Sequence, residues 1–237
     1  SLILYLADFL AAKKTQMQSF FFGFLPPTII IGIFCLLILI QPDLGTSVAL
    51  GVVGLIILFS AGANPAHIGL LLASSIPLRY LSIFKVPYRR ARILAFLNPW
   101  VDPRGSGFQI IQSQIALGSG GILGVGLGKS LQKLFYLPAA HTDFIFSIIG
   151  EELGLLGTAG IVILFIIFLW QGLKIVNNAP DNFGRFLALG MVSAIGLKAI
   201  VNIGVSCGFF PTKGLPLPFI SYGGSSLIFD MMAVGLL

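Results

Sequence analysis

Five long apolar runs limit what this chain can fold into more than any other feature. They fall at about 19–40, 46–62, 67–84, 144–171 and 186–210, and a sixth begins near Ser225 and is cut off at Leu237. A helix crosses a hydrocarbon core of ~30 Å with roughly 17 to 25 mostly apolar residues. The runs are too long for tilted barrel strands and lack an alternation of period two, so each is expected to satisfy its backbone hydrogen bonds within a helix. The expected fold is all-α: a polytopic helical membrane protein, with about six transmembrane segments in a single membrane domain over 1–237.

Only 9% of the residues are charged against 57% hydrophobic, and the mean hydropathy is +1.01. A soluble domain would carry about a quarter charged residues. Each acid or base near an apolar run is therefore costly and needs a reason. The chain opens on Ser1-Leu2-Ile3-Leu4-Tyr5-Leu6-Ala7-Asp8, with no basic leader region and no small-residue cleavage site, so it does not read as a signal peptide. Its apolar spacing of three and four, followed by Lys13-Lys14, suggests the tail of a span or an interfacial helix, and hence a fragment of a larger membrane protein. Cys35 and Cys207 lie in or near separate apolar runs and read as lone packing thiols.

Between about Lys85 and Thr142 runs the largest polar stretch, holding Arg89, Arg90, Arg92, Arg104, Lys129 and Lys133 against one acid, Asp102. By the positive-inside rule such a loop votes for the cytoplasm, while Lys13-Lys14, Lys174 and Arg185 make the same claim for the opposite side. A functional reason to keep so many cations outside would be an anionic lipid-linked substrate.

Several motifs are excluded. Gly124-Val125-Gly126-Leu127-Gly128-Lys129-Ser130 ends like a phosphate-binding loop, but Leu123 stands where the first glycine is required. The same run lacks the preceding strand and glycine register of a dinucleotide site, and reads as a flexible or re-entrant segment. His67 and His141 are the only histidines and lie far apart, so an all-protein metal site is not expected. A pI near 9.6 without a soluble basic domain gives no case for nucleic acid.

One acid stands apart. Asp143, in His141-Thr142-Asp143-Phe144-Ile145-Phe146, falls where the polar stretch ends and a span begins. Such a carboxylate suits a general base. An equally good reading of the residues alone has Thr142 capping the next helix and Asp143 complementing its dipole, an arrangement worth about 0.3–1 kcal/mol.

Four ordered motifs carry a family resemblance: Gln41-Pro42-Asp43-Leu44-Gly45-Thr46; Asn98-Pro99-Trp100-x-Asp102-Pro103-x-Gly105-Ser106-Gly107-Phe108-Gln109; His141-Thr142-Asp143-Phe144-Ile145-Phe146 with Gly150-Glu151-Glu152-Leu153-Gly154; and Pro211-Thr212-Lys213-Gly214-Leu215-Pro216-Leu217-Pro218-Phe219-Ile220-Ser221-Tyr222-Gly223-Gly224-Ser225-Ser226. Together they resemble the SEDS family of bacterial shape, elongation, division and sporulation proteins. Pro211-Thr212-Lys213-Gly214 is closest to the division member.

The resemblance implies a ten-span peptidoglycan glycosyltransferase that polymerises lipid II at the outer face of the bacterial cytoplasmic membrane, of which this chain covers spans five to nine and part of ten. It places the family's large extracellular loop on 85–142, against the charge count, and the essential loop aspartate on Asp143. It implies substrate contacts from Arg89, Arg92, Gln109, Gln112, Lys129, His141, Thr142, Lys213, Ser221, Tyr222 and Ser225, and a structural charge network of Asp43, Glu151, Glu152 and Lys198. No metal site and no certain cofactor are implied, beyond a divalent cation accompanying the substrate pyrophosphate. The implied partners are lipid II, a class B penicillin-binding protein, other divisome proteins and the membrane. Phe135 and Ala139 depart from the division pattern, which often has acids there, and Lys198 from a common uncharged polar residue.

On the residues alone, several roles keep alternatives. Guanidinium forks suit a pyrophosphate, yet Arg89 and Arg92 are equally explained as a surface anchor. Gln109, Gln112 and Gln114 with Ser113 suit sugar hydroxyls or a solvated helix face, and Tyr222 to Ser226 a substrate wall or a tight turn. Glu151, Glu152, Lys198 and Asp230 would suit a lipid-precursor transporter, and a non-catalytic scaffold is a third reading. Lys198 is expected to pair with Glu151, Glu152 or Asp230. Asp143 is expected to share an outward cavity with at least one of Arg89, Arg92, Lys129 and Lys213.

Overall fold

The computed structural model describes residues 2–13, 17–41, 43–84, 87–135, 137, 141–212 and 214–237, without the side chains of 78–84, 87–89 and 134–135. Pro42, Ala139, Lys213 and the side chains of Arg89 and Phe135 thus lie outside the described residues. Among the described residues the structure is helical with no strand. In order come α1 (Leu2–Ala12), a π-turn (Phe20–Phe24) running into α2 (Leu25–Ile40), α3 (Leu44–Ser60), α4 (Pro65–Phe84), α5 (Pro87–Leu97), a 3-10 turn (Pro99–Val101), α6 (Phe108–Ser119), α7 (Leu131–Phe135), α8 (Ile145–Asn178), α9 (Asn182–Ser206) and α10 (Gly224–Gly235).

Helices over Phe20–Ile40, Ile145–Asn178 and Asn182–Ser206 are long and apolar enough to cross a membrane, and shorter apolar helices lie at Leu44–Ser60, Pro65–Pro77 and Gly224–Gly235. Leu36, Ile40 and Leu164 are 62%, 74% and 67% exposed, a degree of apolar exposure that hydrocarbon tolerates and water does not. The chain is a polytopic helical membrane protein. Its expected spans match these helices to within a few residues at most ends; the expected 144–171 falls short of α8 at its C-terminal end by seven residues.

The chain divides into two compact units, residues 1–78, 168–197 and 231–237, and residues 79–167 and 198–230. In the first, Leu6, Leu10, Ile57, Leu58 and Phe186 form a fully buried centre. Pro26 and Pro27 sit in the first turn of α2, where missing N–H groups cost little. Asp43 caps α3: its Oδ1 accepts from Thr46 N at 3.0 Å and its Oδ2 from Thr46 Oγ1 at 2.6 Å. Its carboxylate thus serves as the cap of this helix.

In the second unit the polar stretch is folded rather than looped. Asn98 accepts from Trp100 N at 3.2 Å, and Asp102 accepts from Gly105 N at 3.0 Å and Ser106 N at 2.8 Å, closing the turn that leads into α6. The glycine run that follows is docked, not flexible. Gly154 (φ 67°, ψ −159°) breaks α8, and the backbone groups released there pair with the run. Val125 N donates to Glu151 O (2.9 Å), Gly126 N to Glu152 O (3.0 Å), and Leu155 N to Gly121 O (2.9 Å). A side chain at Gly120 or Gly124 would strike the Gly150 or Glu152 carbonyl, which is why glycine is required at this contact.

Candidate active site around Asp143

Asp143 lies in the turn before α8, half-buried. Three carbonyls in succession anchor that turn: His141 O accepts from Tyr222 N at 2.9 Å, Thr142 O from Ser221 Oγ at 2.5 Å and Asp143 O from Asn202 Nδ2 at 3.0 Å. The donors come from α9 and from the segment after it. Phe219 adopts φ 65°, uncommon for an aromatic residue, in the turn that returns Ser221 to Leu217, where Leu217 N donates to Ser221 Oγ at 2.7 Å.

The carboxylate itself faces Gly214, where an added Cβ would lie 3.2 Å from Oδ2. Burial pushes its pKa up from the ordinary 3.8, outweighing the opposing pulls of the Thr142 hydroxyl and the Arg92 charge. The carboxylate's hydrogen bond comes from the Thr142 side chain, and Asp143 stands two residues before α8 begins. Its charge is not spent on capping that helix. Arg92, on α5, donates to Thr212 O at 3.1 Å, fixing the cation beside the segment that covers Asp143.

Several expected contacts are revised. Ser221 is half-buried, and its hydroxyl donates to Thr142 O and accepts from Leu217 N, so it helps to hold the turn. Ser113 is fully buried, bonded to Ser147 Oγ (2.6 Å) and Ser206 O (2.8 Å), and cannot reach a sugar. Lys129 lies on the docked glycine run, against Gly126. Gln109 and Gln112 are half-buried on α6, while His141, Tyr222 and Ser225 are exposed. Lys213 and the Arg89 side chain lie outside the described residues.

The intramembrane charges separate into local pairs. Lys198 Nζ reaches Asp230 Oδ1 at 2.6 Å, the partner expected among three. Glu151 instead receives Ser130 Oγ and Leu131 N (3.1 Å), tying α7 to the break in α8, and Glu152 lies 4.0 Å from Lys133. Among the described residues no group of three His, Cys, Asp or Glu could hold a metal. Asn202 was not foreseen in the site; its signal was a lone amide in an apolar run, one helical turn from Lys198.

The model of the cell cycle protein family that groups FtsW, RodA and SpoVE matches residues 1–237. The chain belongs to this family. A protein from Geobacter metallireducens named a probable peptidoglycan glycosyltransferase FtsW is 49% identical, across 100% of this chain and 63% of the relative. Stage V sporulation protein E of Bacillus subtilis is 48% identical, across 100% and 65%. Among solved structures, one of a peptidoglycan synthase complex that coordinates polymerization and crosslinking matches with TM-score 0.77 and 31% identity, over 99% of this chain and 65% of that one. RodA of Thermus thermophilus matches with TM-score 0.59 and 25% identity, over 99% and 62%. The chain thus spans somewhat under two thirds of the length of these family members.

Proposed function

We propose that the full-length protein is a peptidoglycan glycosyltransferase that polymerises lipid II into glycan strands during cell division. The observation that carries this reading is Asp143: a carboxylate in a turn held by three hydrogen bonds, to the carbonyls of His141, Thr142 and Asp143, with its pKa raised by burial and a guanidinium acting on it. A carboxylate with a raised pKa is a stronger base once ionised. Asp143 takes the proton of the acceptor sugar's hydroxyl, that oxygen bonds to the anomeric carbon of the donor, and the bond from this carbon to the pyrophosphate breaks with inversion. The electron pair departs on the lipid pyrophosphate, and the proton passes from Asp143 to water.

Arg92 meets the developing charge, joined in this reading by Arg89, Lys129 and Lys213 around an outward cavity. Gln109, Gln112, His141, Thr142, Tyr222 and Ser225 contact the sugars. A divalent cation arrives with the pyrophosphate as part of the substrate. The protein sits multi-pass in the bacterial cytoplasmic membrane with the 85–142 region outside, beside a class B penicillin-binding protein and other divisome proteins. The structural relative from a peptidoglycan synthase complex supports such a partner. The FtsW relatives favour division, with the sporulation protein, at 48% identity against 49%, marking the alternative role. The transporter reading loses support because Glu151 and Lys198 are engaged locally.

The test is polymer formation from lipid II by purified full-length protein with its penicillin-binding partner. Asp143→Ala is expected to abolish it while leaving expression and partner binding intact. Substantial polymer from that variant would end the assignment.

A further inference from the structure

The grip on the Asp143 turn includes one residue whose chemistry is otherwise hard to justify. Asn202 is 1% exposed and belongs to an apolar span. Its Nδ2 donates both to Asp143 O (3.0 Å) and to Leu215 O (2.8 Å), the residue beside the Gly214 that faces the carboxylate. These neighbours fix the amide's orientation, since two carbonyl oxygens accept only from its NH2 side. Its Oδ1 is buried without a hydrogen-bond partner among the described residues. A half-satisfied buried amide is a costly way to fill space that a leucine of similar size would fill without penalty. Its presence answers to the two donors.

We propose that Asn202, with Ser221 beside it, is a positioning residue for glycosyl transfer: it holds the backbone of Asp143 in register with residues 214–215 so that the carboxylate meets the acceptor hydroxyl, without touching substrate itself. The inference rests on the reading of Asp143 as the base. Displacement of a catalytic group by about 1 Å costs on the order of 10²-fold in rate.

The experiment uses the full-length protein with its partner and lipid II, measuring kcat, KM and Tm for Asn202→Leu, Asn202→Asp and Asn202→Gln beside Asp143→Asn. Asn202→Leu is expected to lower kcat by about 10²-fold while KM stays within roughly threefold. Asn202→Asp, which sets oxygens against both carbonyls, falls further. Asn202→Gln keeps the donors on a longer arm and recovers part of the loss. A residue that merely packs the span would give Asn202→Leu full kcat per folded molecule and make Asn202→Gln the poorest fit. Wild-type kcat in Asn202→Leu, or Asn202→Gln no better than Asn202→Leu, overturns the proposal. Should the Asn202 variants fail to fold, Ser221→Ala removes the adjacent grip on Thr142 O. A fall in kcat at constant KM then supports the positioning role, and unchanged kcat overturns it. Polymerisation retained by Asp143→Asn would overturn the base reading instead, which keeps the two failures apart.

Discussion

Asp102 and Asp143 are both aspartates of the second compact unit, both in turns that lead into helices, yet the turns treat them in opposite ways. At Asp102 the carboxylate is the anchor: it accepts from Gly105 N, Ser106 N and Ser106 Oγ, and these bonds hold its pKa below the ordinary value. At Asp143 the backbone is the anchor, through three carbonyls, and the carboxylate is left half-buried with its pKa raised. A carboxylate that makes the turn cannot also accept a proton without loosening it. One whose turn is made by other groups can.

Exchanging each acid for its amide tests that contrast most severely at Asp143. Asp143→Asn is expected to lower lipid II polymerisation by about 10²–10⁴-fold, the range of a lost general base. The same variant should be as stable as wild type or more so. The folded state binds the Asp143 proton more tightly than the unfolded state does, so stability present at low pH is lost as pH rises through the folded pKa. Asparagine never ionises and escapes that loss. Tm at neutral pH is therefore expected at or above wild type, with the gap closing toward pH 3.8. A variant destabilised at neutral pH would show that the Asp143 carboxylate, like that of Asp102, helps to make its turn, and the contrast would collapse.

A carboxylate spent wholly on structure sets the opposite limit. Asp230 is buried against Lys198 at 2.6 Å, with Ser226 Oγ donating to its other oxygen at 3.3 Å. Lys198→Met alone or Asp230→Leu alone strands a charge and should cost roughly 3–5 kcal/mol, while the double change recovers most of it. Thermal unfolding in detergent of the two single variants and the double reads this directly. Single variants no worse than the double would mean the pair is solvated in the membrane.

The helices and the place of Asp143 at the edge of a span were legible because apolar run length and an acid at a span boundary are local properties. What holds Asp143 was not. The donors Asn202, Ser221 and Tyr222 stand 59 to 81 positions away, and no spacing rule connects a mid-span amide to a carbonyl at that separation. The glycine run was legible as a re-entrant or flexible segment, but its partner, the break at Gly154, exists only once α8 is built. Ser113 was misplaced for a related reason: a hydroxyl in a polar stretch looks free until its acceptor is seen. Residue type announces what chemistry is available; long-range backbone pairing decides which of it is already used.

Arg92 gives a finer test. Its charge lowers the Asp143 pKa against the stronger effect of burial, so Arg92→Gln should let that pKa climb further. The acidic limb of kcat/KM is then expected at higher pH than in wild type. A loss of rate with the limb unmoved would show that Arg92 serves the pyrophosphate alone. A limb moving to lower pH would contradict the placement of the guanidinium.

Asp102→Asn carries the smallest expected effect and closes the contrast from the other side. The residue is fully exposed and its turn also has backbone bonds from Gly105 N and Gly107 N to Asp102 O, at 3.3 and 3.0 Å, which survive the substitution. Polymerisation should therefore stay near wild type. The change in stability should carry the sign opposite to Asp143→Asn, because the folded pKa of Asp102 is depressed: its contribution is present above the unfolded value of 3.8 and is lost as pH falls through the folded one. A slightly lower Tm than wild type at neutral pH, vanishing on acidification, is the expected signature in matched thermal scans. If Asp102→Asn instead lost polymerisation with its Tm unchanged, Asp102 would be a second acid at work on the substrate, and the turn at 98–107 would have to be counted as part of the active site.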